Sequence, residues 1–114
     1  MSRYTEEQEE RILQGDQQLQ LGDIERLESR YPQAQQCYQK ALQIYRRVPF
    51  EKGIAQCLLS IGIIAQQRSN YPQAMKYFRQ SLEYLENKES RLTSSIYRNM
   101  GHVLCEQGKI AEAL

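Results

Sequence analysis

A chain of 114 residues is about one domain long, and 40% hydrophobic with 25% charged residues is a globular balance that argues against disorder or a fibrous class. Fifteen Lys and Arg against 14 Asp and Glu leave a net charge of +1, which supplies no basic field for nucleic acid and no acidic tail.

The segment from Met1 to Glu10 is acidic and lacks the apolar stretch of a secretory signal, so no export is expected. Thr5-Glu6-Glu7-Gln8 is a capping-box pattern that opens a first helix over about 5–28. Ala34, Cys37, Tyr38, Ala41, Leu42 and Tyr45 recur at helical spacing and predict a second helix over 32–47, begun by the Tyr31-Pro32 step, because the first turn of a helix has no use for the amide hydrogen that proline lacks. A third helix over 51–68 carries the longest apolar run, Cys57 to Ala65, which is too short for the roughly 18 residues of a membrane span. Ala74, Phe78, Leu82 and Leu85 mark a fourth over 71–87, with Asn70 as its expected N-cap and Gln73 completing a second capping box. A fifth is expected over 90–107, and a sixth starts at 110.

These elements repeat. Ser29-Arg30-Tyr31-Pro32-Gln33-Ala34 returns 40 residues later as Ser69-Asn70-Tyr71-Pro72-Gln73-Ala74, and a third copy follows 39 residues on, with Gly101, Ile110 and Ala113 in the glycine, tyrosine and alanine positions. A repeat of this length marks stacked supersecondary units, each too small to bury its apolar face alone. Gly22, Gly62 and Gly101 fall inside helices, where each costs up to ~1 kcal/mol relative to alanine. The expected compensation is close approach of two helix backbones, with Ala34, Ala74 or Ala113 facing the gap.

The spacing Leu21-Gly22, Ala34, Tyr38, Ala41, matched by Leu58, Ile61-Gly62, Ala65, Tyr71, Ala74, Phe78 and by Tyr97, Met100-Gly101, Leu104, Gly108, Ala113, resembles the tetratricopeptide repeat. The unit exceeds the usual 34 residues, the first aromatic slot holds Gln18 or Leu58, and the closing-proline candidate, Pro49, falls late. The longer unit is similar to repeats of kinesin light chains, Leu-Gly-Asn-type scaffolds and bacterial peptide-sensing regulators. The resemblance implies an all-α single domain over 1–114: antiparallel hairpins stacked as a short right-handed superhelix of about two and a half repeats, at about 8–47, 51–87 and, in part, 90–114.

It also implies protein or peptide recognition on a concave surface lined by the first helix of each unit. By register that surface comprises Asp16, Leu19, Asp23 and Arg26, then Gln56, Leu59, Ile63 and Gln66, then Ser95, Arg98, His102 and Cys105, with Asn99 adjacent. Leu59 and Ile63 suggest an apolar patch for an amphipathic helix or extended peptide, against the alternative that the third helix is apolar all round because it is central. Asn99 and Arg98 suggest a hold on peptide backbone and a carboxylate, against a plain solvated face. Leu19 and Asp23 stand where chaperone-binding relatives place a lysine and an asparagine, which disfavours recognition of an acidic chaperone tail.

Catalysis and metal binding find little support. His102 is the one histidine, and Cys37, Cys57 and Cys105 form no C-x-x-C pair. His102 and Cys105 could touch on one helix, yet no orienting third group is evident, so Cys105 is expected to pack and His102 to face solvent. Three widely spaced cysteines fit reduced thiols in the cytoplasm. Sixteen glutamines are dispersed helix surface. No cofactor, nucleic acid or membrane partner is expected.

The sequence stops one turn into the sixth helix, which should cover Tyr97, Met100 and Leu104. Three expectations follow: a fragment of a longer protein, which is preferred; a homodimer through the open C-terminal end; or a fraying last helix. The alternative to a peptide-binding adaptor is therefore a self-associating or regulatory segment of a larger signalling protein or enzyme whose active site lies elsewhere.

Overall fold

The computed structural model describes residues 3–85 and 90–113. Among them the chain forms five helices and no strand: α1 (Glu6–Leu27), α2 (Tyr31–Arg47), α3 (Glu51–Gln67), α4 (Tyr71–Glu83) and α5 (Arg91–Ala113). The expected end of the fourth helix at 86–87 lies outside the described residues.

Local chemistry sets the boundaries. The Thr5 hydroxyl accepts from the Gln8 amide at 3.1 Å while Gln8 Oε1 accepts from the Thr5 amide at 2.9 Å, a complete capping box. Asn70 occupies the N-cap position of α4 but makes no side-chain cap bond, so the second expected box does not form. Its backbone torsions, φ −93° and ψ 74°, match those of Arg30 ahead of α2, and in both places the Tyr-Pro step alone starts the helix.

The turns after α1 and α3 are built alike. The amides of Ser29 and Arg30 donate to the carbonyls of Arg26 and Glu25, and those of Ser69 and Asn70 to Gln66 and Ala65, which is the Schellman pattern. Each turn needs a left-handed residue and uses a serine, with φ of 62° at both Ser29 and Ser69. A Cβ costs roughly 1–2 kcal/mol in that conformation. Ser29→Gly and Ser69→Gly are therefore each expected to stabilise the fold by about 0.5–1 kcal/mol, read as higher midpoints in urea unfolding at unchanged m-value.

Gly108 is the register counterpart of Ser29 and Ser69, yet α5 runs straight through it, so the expected break between a fifth and a sixth helix is absent. The first two turns are held by a second helix folding back on the first. Nothing folds back on α5 among the described residues.

α1 pairs with α2 and α3 with α4, while α3 also touches α1, α2 and α5. α2 and α4 nowhere approach within 8 Å, Cα to Cα. The first helices thus form an inner row in mutual contact and the second helices splay outside it, which makes the inner row the concave side. Tyr38, Tyr45, Ile54, Cys57, Leu58 and Ile61 build one core cluster, and Leu59, Ala74, Phe78, Leu85, Ile96 and Val103 build another, with α3 feeding both. That explains why α3 is apolar on every side.

The glycines are filled differently from the expectation of backbone against backbone. An added Cβ at Gly22 would lie 2.6 Å from the Tyr38 ring, at Gly62 2.6 Å from the Phe78 ring, and at Gly15 2.5 Å from the Tyr45 ring. The second helix of each hairpin lays an aromatic face on a glycine of the first. Ala34 and Ala74 are buried alongside.

Candidate protein-binding surface

The polar residues on the inner row of the first hairpin are committed to the tyrosines that cross it. The Tyr38 hydroxyl donates to Asp23 Oδ1 at 2.5 Å and accepts from Arg26 Nε at 3.1 Å, and Arg26 Nη2 lies 3.7 Å from the same carboxylate oxygen. The Tyr45 hydroxyl donates to Asp16 Oδ1 at 2.6 Å. Burial of the ring, with the Asp23 acceptor beside it, pushes the Tyr38 hydroxyl up to about 12, and burial with Asp16 raises that of Tyr45.

In the second hairpin the whole set changes together. Phe78 replaces Tyr38, and Ile63 and Gln66 replace Asp23 and Arg26; Leu85 replaces Tyr45, and Gln56 replaces Asp16. Where the crossing ring loses its hydroxyl, the helix beneath loses the groups that would bind one. Ala55 stands opposite the smaller Leu85, in the place where Gly15 accommodates Tyr45. Ser81, fully buried on α4, donates its hydroxyl to the Ala55 carbonyl at 2.6 Å and ties the hairpin.

This leaves the central inner surface less polar than the first. Ile63 is half-buried and rests on the second cluster; Gln66 is half-buried, and its Oε1 has no hydrogen-bond partner. Asn99 is half-buried and donates Nδ2 to the Ser95 carbonyl at 2.8 Å, while Arg98 and His102 are exposed. Leu19 and Leu59, which the sequence register put on this surface, are core residues exposed by only 6% and 7%. They lie where the second helix of the hairpin covers the first. Arg98 shares their register position and is exposed, with no second helix lying on α5 among the described residues. Cys105, expected to pack, is exposed instead, at the inner-row position that Arg26 and Gln66 hold in the first two units.

The tyrosine contacts to Asp16 and Asp23 were missed by sequence reasoning. The signal was present, as the Tyr38-to-Phe78 change between copies accompanied by the Asp23-to-Ile63 and Arg26-to-Gln66 changes on the preceding helix. Buried Cys57 has its thiol pushed up to about 12, chiefly by burial, and Cys37 is buried too, so both act as small apolar groups. Among the described residues no cluster of three His, Cys, Asp or Glu side chains could hold a metal ion, and no helix is long and apolar enough to cross a membrane.

Comparison with protein families gives a match to the tetratricopeptide repeat model over residues 17–87, more than half of the chain, from within α1 to past the end of α4. The chain belongs to the tetratricopeptide repeat family. Neither the curated proteins nor the solved structures yield a match. Tetratricopeptide repeats generally mediate protein–protein interaction and are typically non-catalytic modules.

Proposed function

We propose that this tetratricopeptide array is an adaptor that holds a peptide or helix of a partner protein on its inner row, across α1, α3 and α5. The observation that carries this reading is the change of character along that row. Asp16 and Asp23 outnumber Arg26 at one end, half-buried Ile63 and Gln66 form a less polar centre, and exposed Arg98 makes the far end basic. A peptide with a cationic end toward Asp16 and Asp23, an apolar side chain over Ile63 and an anionic end toward Arg98 would be complementary to all three. Asn99 adds a half-buried amide beside the basic end. Two buried free thiols suit a reducing compartment, and we read the chain as cytoplasmic.

The test is selection of peptides from a display library on the 114-residue chain, followed by affinity measurement. Ile63→Lys is expected to weaken the selected peptides by at least about tenfold, because it introduces a charge where an apolar contact is made. His102→Ala should weaken them less. Peptides that bind Ile63→Lys as tightly as the parent, with the variant's helicity intact, would refute the inner row as their site.

A second reading, self-association through α5, is favoured by a separate observation. Tyr97 and Leu104 are exposed by 59% and 58% on the face that no second helix covers among the described residues.

A further inference from the structure

The free face of α5 has a definite pattern. Tyr97, Gly101, Leu104 and Gly108 follow one another at i, i+4, i+7 and i+11, which is a single helical stripe alternating large and small, with Ser94 and Ala111 extending it at either end. Tyr97 and Leu104 stand out from it, and a Cβ added at Gly101 or Gly108 would meet nothing within 4 Å. The stripe overlaps the position on the first helices that receives the second helix in the two complete hairpins. There, the receiving glycine takes an aromatic ring: Tyr38 on Gly22, Tyr45 on Gly15, Phe78 on Gly62.

The pattern is complementary to itself when reversed. Two α5 helices set antiparallel about a two-fold axis between His102 and Val103 bring Tyr97 against the partner's Gly108, Gly101 against the partner's Leu104, and Ser94 against the partner's Ala111. Every large residue meets a small one. That axis falls within one residue of the midpoint of α5, so nearly the whole helix, roughly 34 Å at 1.5 Å per residue, takes part. Beside the stripe, Arg98 and Glu112 lie on one edge at opposite ends, both exposed, and reversal carries each Arg98 toward the end of the partner helix that bears Glu112. The straight course of α5 through Gly108 is what such a pairing needs, since a turn at that point would remove the far end of the stripe.

Building on the second reading above, we propose that the occupant of this face is a second copy of the chain, its α5 lying antiparallel in the place of a second helix, in a closed two-fold dimer. Tyr97 over the partner's Gly108 then repeats, between chains, the ring-on-glycine contact that the hairpins make at Gly15, Gly22 and Gly62.

Sedimentation velocity on the 114-residue chain across micromolar concentrations tests this, and a monomer throughout would overturn it. Leu104→Glu is expected to raise the dimer dissociation constant by at least ~100-fold, since both copies lose the contact; a dimer that survives it would show that another surface associates. The exchange of large and small fixes the register. Gly101→Leu and Leu104→Ala should each weaken the dimer, and the double variant Gly101→Leu/Leu104→Ala should restore it to within about tenfold of the parent. Single variants that dissociate without rescue in the double would overturn the antiparallel pairing. Circular dichroism of each variant guards against loss of fold, and the monomeric Leu104→Glu chain still tests peptide binding on the inner row, so the two readings fail separately.

Discussion

Three glycines in one register position are expected to respond to alanine with opposite signs. In Gly22→Ala the new methyl would sit 2.6 Å from the ring of Tyr38, whose side chain is wholly buried and whose hydroxyl is held by Asp23 and Arg26, so the ring has nowhere to move. Gly62→Ala meets the buried Phe78 ring at the same distance. Overpacking of this kind costs about 2 kcal/mol even after helix propensity returns part of it, equivalent to a midpoint about 10 °C lower in thermal unfolding. Gly101→Ala meets nothing within 4 Å. It is expected to stabilise by up to ~1 kcal/mol through propensity alone, measured in the Leu104→Glu background to exclude association. A loss at Gly101 equal to that at Gly22 would show that the rings are not what distinguishes these positions.

The second large effect is alkaline. Tyr38 is held neutral in the folded chain well above the usual tyrosine range, while the unfolded chain releases that proton near 10. A group whose folded value is raised contributes stability that is complete below its unfolded value and is lost as pH climbs through its folded one. The fold should therefore hold steady from neutral pH to about 10 and then weaken between 10 and 12, by ~2 kcal/mol for Tyr38. Tyr45, also raised, steepens the decline. Tyr38→Phe is expected to cost about 1 kcal/mol at neutral pH, where Asp23 and Arg26 lose a partner, and to gain on the parent as pH rises past 10. Urea midpoints across this range check it. Parallel curves for parent and variant would mean that the hydroxyl is not protected by the fold.

Most of the fold was legible because its instructions are local and repeated. The Tyr-Pro steps, the spacing of Ala34 to Tyr45 and the 40-residue period placed four helices and their pairing to within a few residues. What was not legible depended on which helix lies on which. Gly108 carries the chemistry of a turn, yet α5 continues through it because a Schellman turn is worth making only when the returning helix has apolar surface to bury. Leu59 and Ile63 are alike in sequence, yet one is core and the other half-exposed, and spacing on one helix does not reveal how far the next helix overlaps it. Asn70 has the right side chain for a cap, but the preceding left-handed serine fixes its backbone and no side-chain cap bond forms.

The splay of the outer row has a mechanical meaning. Between α2 and α4 lies an open wedge of about 480 Å³, floored by Ile61, Ile64 and Ala65 and walled by Gln35, Gln73 and Tyr77. Because those two helices do not touch, the first hairpin joins the rest of the described residues through α3 alone, mainly where α2 lies on it. Because α3 also feeds both core clusters, a substitution that destabilises it is expected to unfold the two hairpins together.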